Sequence, residues 1–345
     1  MSLKFSSNVI SAKVLAMYGK RLKRNDYDNL LNCKTVSEIA CYLKNEANYS
    51  RELKDIDEIN IRRHELEFLV RNKLFNDLSV IGKYEFTTRE IFAKYTIIKS
   101  EVELILHVLM SLLSVKKEYV YYDLSDFFKV HTKLNLELLL NINDYDDFFK
   151  FLNATPYYKL LINLKPSSLD VRMDISRVEQ LLYNYLYENF FSSIDEIKYK
   201  KTREDLKDIF SCFVDYNNFV RIIRLHRAKS YSNFAFLDYG SIKRENIEKM
   251  KKSISEEDIF DIMRELPQDK KMLKTKYSYL DQLPKKVLYN RCRQAIHSTN
   301  DASMIFLSYM FLSQIEIDNI INIIEGVRYS VSKSEIESLL VLKQA

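Results

Sequence analysis

The chain has 345 residues, 47% of them hydrophobic, which is enough to fill a sizeable core and too apolar for a disordered protein. Its four glycines and four prolines fall far below ordinary usage; this excludes a glycine-rich phosphate loop and an all-β fold built on positive-φ turns, and predicts an all-α protein. With 53 basic and 48 acidic residues the formal net charge is +5, so an acidic partner must meet a local patch, and nucleic acid is not an expected partner.

In chain order, Lys4, Lys13, Lys20 and Arg21 interrupt each amino-terminal apolar run before a leader-like hydrophobic region forms, so no secretory signal is expected. Thr35, Asp144 and Ser255 each read as a helix N-cap, with an acid three residues on (Glu38, Asp147, Asp258) placed to meet the positive end of the helix dipole. Only Thr35 with Glu38 is a full capping-box sequence. Behind each cap the same stripe follows, Ile39, Tyr42 and Leu43, then Phe148, Phe151 and Leu152, then Ile259, Ile262 and Met263, all on one helical face.

A second repeated element opens at Thr88-Arg89-Glu90 and Thr202-Arg203-Glu204, more loosely at Thr299-Asn300-Asp301, and reads as a helix start. Further along, Glu101 to Leu109, Asp215 to Ile223 and Glu316 to Ile324 carry a shared pattern in which Asn218 and Asn319 are equivalent and Leu104 departs. Two elements recurring in the same order predict internal repeats at about 1–115, 116–233 and 234–345 within a single helical body, 1–345, of pseudo-threefold symmetry. Asn218 and Asn319 are expected to satisfy backbone groups between packed helices rather than to bind a ligand.

The most apolar windows, 102–113 and 304–315, are too short to cross a bilayer, which limits any expected membrane contact to a peripheral one. Cys33, Cys41, Cys212 and Cys292 form no C-x-x-C pair, and the five histidines no H-x-x-x-H pair, so reduced thiols, no metal and no cofactor are expected. No catalytic residue is nominated: Asp146-Asp147 and Glu256-Glu257 sit at helix starts, where carboxylates serve the dipole. The one candidate site is a basic strip, Arg221, Arg224 and Arg227 with Lys229 beyond, proposed to meet a protein partner, with a solvated helix face paired to nearby acids as the plainer reading.

The stretch Asn8-Val-Ile-Ser-Ala-Lys-Val-Leu-Ala-Met-Tyr-Gly-Lys-Arg-Leu-Lys, then Asp26-Tyr-Asp-Asn-Leu-Leu31, resembles the opening of the C-type stalk subunits of bacterial and archaeal V/A-type ATPases, the counterparts of the eukaryotic vacuolar ATPase d subunit. Ala154-Thr-Pro-Tyr-Tyr158 and Glu316-Ile-Asp-Asn-Ile-Ile-Asn-Ile-Ile-Glu-Gly-Val-Arg-Tyr329 resemble the middle and carboxy-terminal signatures of that family, with Ser330 a departure where many members carry a glycine. The resemblance implies three similar multi-helix lobes forming a funnel. It further implies a non-enzymatic rotor subunit at the cytoplasmic face of the membrane, monomeric when isolated, with no small-molecule substrate. Its implied partners are the central shaft subunits and the proteolipid rotor ring. Two other readings remain open at this point: a soluble helical adaptor unrelated to an ATPase, and an enzyme whose polar groups converge only in three dimensions.

Overall fold

In a computed structural model, residues 2–81, 86–113, 126–166, 173–228, 236–266, 273 and 279–342 are described, and among them no strand occurs. The helices are α1 (Ser2–Gly19), α2 (Arg24–Leu30), α3 (Val36–Asn45), α4 (Arg63–Ile81), α5 (Phe86–Leu113), α6 (Asp126–His131), α7 (Tyr145–Phe151), α8 (Pro156–Leu161), α9 (Ile175–Ile194), α10 (Lys200–Ala228), α11 (Arg244–Lys252), α12 (Glu256–Glu265), α13 (Leu283–Ser298), α14 (Ala302–Arg328) and α15 (Lys333–Leu339).

The three predicted caps open α3, α7 and α12. Thr35, Asp144 and Ser255 each accept from the backbone N–H three residues on. The reciprocal box forms elsewhere than expected. At α12 the Asp258 carboxylate takes the Ser255 N–H at 3.0 Å and completes it, whereas at α3 Glu38 reaches one residue further back, to the Lys34 N–H at 2.6 Å. The extra methylene of Glu over Asp gives that longer reach. The second predicted element marks α5, α10 and α14, of 28, 29 and 27 residues. Thr88 and Thr202 lie buried in the first turn instead of capping it, and Asp301 rather than Thr299 caps α14, accepting from the Met304 N–H.

Packing follows a cyclic order. Each long helix packs on the helix before it, α5 on α4, α10 on α9 and α14 on α13, and also on the first helix of another pair: α5 on α9, α10 on α13, α14 on α4. The last of these contacts returns the chain to its own beginning. α14 also packs against α1, and by length and mean hydropathy it would qualify as a membrane span; 83% of that apolar window is instead buried inside the molecule.

The buried acids follow the same order. Glu101 on α5 accepts from Thr132 Oγ1 (2.7 Å), the Lys133 N–H (2.9 Å) and Tyr157 Oη (2.6 Å). Asp215 on α10 accepts from Ser241 Oγ (2.6 Å) and the Ile242 N–H (3.0 Å), and Gly240 leaves it room: a Cβ there would lie 2.2 Å from Asp215 Oδ1. Glu316 on α14 accepts from the Leu22 N–H (3.0 Å) and Tyr49 Oη (3.1 Å) and pairs with Arg21 (3.1 Å). Each carboxylate thus fastens its long helix to the segment that leads into the next capped helix, α7, α12 and α3 in turn.

The equivalent asparagines do what their pattern predicts. Asn218 donates to the Leu237 carbonyl and accepts from its N–H, both at 2.9 Å, and Asn319 treats Val341 identically. Each amide therefore satisfies both polar groups of one buried residue.

Candidate partner interface

The three helix pairs share a cavity of about 640 Å³ walled by α4, α5, α9, α10, α13 and α14. The amino-terminal parts of α4 (Arg63, His64), α9 (Glu179) and α13 (Pro284, Lys285) meet there the middle of α5 and α14 and the later half of α10. Beneath it sits an aromatic plug. Tyr95, which lines the cavity, has its ring 4.9 Å from that of Phe190 and 5.1 Å from that of Phe311, and Phe210 lies 4.4 Å from Phe190. Tilted and edge-to-face rings from four helices close the cavity floor with a rigid apolar contact.

Six basic side chains (Arg63, Arg71, Lys99, Arg221, Arg224, Lys285) and five carboxylates (Glu67, Glu103, Glu179, Asp281, Asp318) line the wall. Most are paired. Arg221 lies 2.7 Å from Glu179, Arg224 2.5 Å from Asp281, Lys285 2.6 Å from Asp318, and Lys99 3.5 Å from Glu103. Burial acts to raise the Asp318 carboxyl, but Lys285 and Lys99 outweigh it and hold the group below its ordinary range.

Of the proposed strip, Arg221 and Arg224 line the cavity, the first nearly buried and the second 59% exposed. Arg227 points elsewhere. It makes a bidentate pair with Glu256 in the first turn of α12, at 2.8 and 2.9 Å. Lys229 lies outside the described residues. Sequence reasoning missed the remaining wall residues, because their convergence depends on contacts between helices more than a hundred residues apart.

One carboxyl in the wall is electrostatically unusual. Glu67 is pushed up to about 7, first by burial and then by the neighbouring Glu325 carboxyl, against the opposing pull of Arg63. Its Oε1 lacks a hydrogen-bond donor, and Arg63 is shared between Glu67 (3.5 Å) and Glu325. This cluster joins α4 to the last turns of α14.

Among the described residues no group of three or more His, Cys, Asp or Glu side chains is placed to hold a metal ion, and all four cysteines are free thiols. Ion pairs and aromatic rings make up much of the cavity lining.

No curated protein matches the chain. Residues 10–339, nearly its whole length, match the model of the ATP synthase (C/AC39) subunit family. The chain therefore belongs to that family, which comprises the C-type and d-type subunits of V/A-type ATPases.

Proposed function

We propose that the protein is a non-catalytic central-stalk component that links the shaft of a V/A-type ATPase to its membrane rotor ring and transmits torque between them. The carrying observation is the cavity, to which all three helix pairs contribute wall and which an aromatic plug closes from below. A rotating coupler needs a socket shared by several rigid elements, so that force entering at one wall spreads through the whole body.

In this reading the three repeats, 1–115, 116–233 and 234–345, are lobes of a pseudo-threefold funnel at the cytoplasmic face of the membrane. Its support is the cyclic order of the helix packing and of the Glu101, Asp215 and Glu316 contacts. The shaft enters the cavity; the ring takes the opposite end. Arg221 and Arg224 are the contact residues of the former strip, and Arg227 ties α10 to α12.

Affinity capture of the tagged protein from solubilised membranes of its source tests the reading. Shaft subunits and the ring proteolipid should be retained together; an intact ATPase that leaves the bait behind would favour a helical adaptor instead. The double variant Arg221→Glu, Arg224→Glu should weaken binding to purified shaft subunits by about tenfold or more, because each change sets two carboxylates side by side in the wall. Its circular dichroism should match the parent's.

A further inference from the structure

The cyclic order of the helix pairs closes where α14 meets α4. There Arg63 and Glu67, in the first two turns of α4, meet Glu325 in the last turn of α14. One guanidinium serves both acids: Arg63 Nε lies 3.5 Å from Glu67 Oε1, and its Nη1–H donates to Glu325 Oε1. The two carboxyl groups also hydrogen-bond to each other. Two carboxylates cannot do so, because both only accept, so the contact requires a proton on one of them.

The elements packed around this trio bring charged groups of their own, and most are matched elsewhere. On α4, Arg71 stands one turn beyond Glu67 and favours its ionised form, and the exposed His64 adjoins Arg63. Lys99 of α5 pairs with Glu103, and Asp318 of α14 with Lys285 of α13. Arg221 and Arg224 of α10 hold Glu179 and Asp281. On α3, Lys44 holds Glu58 and Glu38 takes the Lys34 N–H. The charged residues of α1, Lys4 and Lys13, are both basic. Arg328 lies over the Tyr329 ring, and α15 is tied separately to the start of the chain, Glu337 to Arg24 and Lys333 to Asn32.

We propose that Arg63, Glu67 and Glu325 form a proton-operated latch at this seam: one proton shared between the carboxyl groups holds the last turn of α14 on α4, and its loss parts them and opens that turn locally. Terminal turns are where helices open most readily, and here the bonds from α15 to Arg24 and Asn32 confine the opening to the end of α14. Glu67 and Arg63 also line the cavity, so the wall loosens at this one place. The latch stands on these three residues and does not depend on the coupling reading.

Hydrogen exchange on the full chain, with each rate corrected for the intrinsic pH dependence of amide exchange, tests it. Protection across residues 322–329 should fall about tenfold between pH 6 and pH 8.5, the range over which the raised Glu67 carboxyl gives up its proton. At pH 8.5 that exchange should be insensitive to low urea, as local opening is. Glu67→Gln should hold the change below about twofold. Glu325→Gln should reduce it without abolishing it, because burial still acts on Glu67. His64→Gln should keep the full tenfold fall. A parent whose protection does not change, a fall that survives in Glu67→Gln or vanishes in His64→Gln, or exchange that follows urea as global unfolding does would each overturn the latch. Thermal midpoints at pH 6 check that the variants fold; should Glu67→Gln fail that check, an undiminished fall in Glu325→Gln overturns the proposal instead.

Discussion

Among the described residues, two adopt a backbone conformation that their side chains disfavour: Ala154 at φ 61° and Ser330 at φ 54°. Ser330 follows the end of α14, where its N–H bonds to the Val327 carbonyl and the next N–H reaches back to Gly326, the geometry in which glycine normally ends a helix. Ser330→Gly should therefore stabilise the protein by about 1 kcal/mol, read from urea denaturation. Glu67 gives a pH effect of definite sign. Its carboxyl binds a proton more tightly folded than unfolded, so its contribution is complete below the ordinary value near 4.5 and is lost as pH rises through about 7. The urea midpoint should accordingly fall between about pH 5.5 and about pH 8, and Glu67→Gln, which keeps a hydrogen-bond donor for Glu325 at every pH, should flatten that fall. A steeper fall in the variant would contradict the assignment. The arginine strip shows how far residue spacing is legible. Three-residue steps turn about 300° each, so Arg227 sits about 120° around the helix from Arg221, and it takes a structural partner while the other two face the cavity.

At the scale of elements, helix starts were readable because a cap and its backbone N–H lie three residues apart, and local chemistry settles them. The partners of the buried acids were not. Glu316 meets Leu22 and Tyr49 from the other end of the chain, and no local pattern announces a contact across more than 260 residues. These fastenings should matter to stability in proportion to their burial. Glu316→Gln removes one half of a nearly buried ion pair and leaves Arg21 facing a neutral amide, at a cost of about 3 kcal/mol or more. Denaturant titration measures it, and hydrogen exchange should show the loss concentrated in α1, α2 and the segment before α3. A uniform loss of protection would mean that the pair does not act as a local fastening. Gly326 serves the same end of α14 differently: a Cβ there would lie 2.5 Å from Ile336, so the bare backbone lets α15 lie close.

For the molecule as a whole, the all-helical class followed directly from the scarcity of glycine and proline, whereas the cavity required the helix pairs to be brought together. The cyclic order of contacts lets a load applied at one pair reach the others in either direction, through α5 on α9, α10 on α13 and α14 on α4. That order has a consequence during synthesis, because the ribosome delivers α14 after every other long helix. Until it emerges, α4 and α1 lack their main apolar neighbour, and the Leu22 N–H and Arg21 lack their acceptor. When it does emerge, it resembles a membrane anchor to any targeting factor that reads hydropathy alone. Translation arrested at residue 301 should therefore yield a soluble-fraction defect that later addition of a peptide covering 302–342 relieves, measured by sedimentation. In the folded protein, packing of α14 against α1, α4 and α13 keeps a membrane-like segment inside.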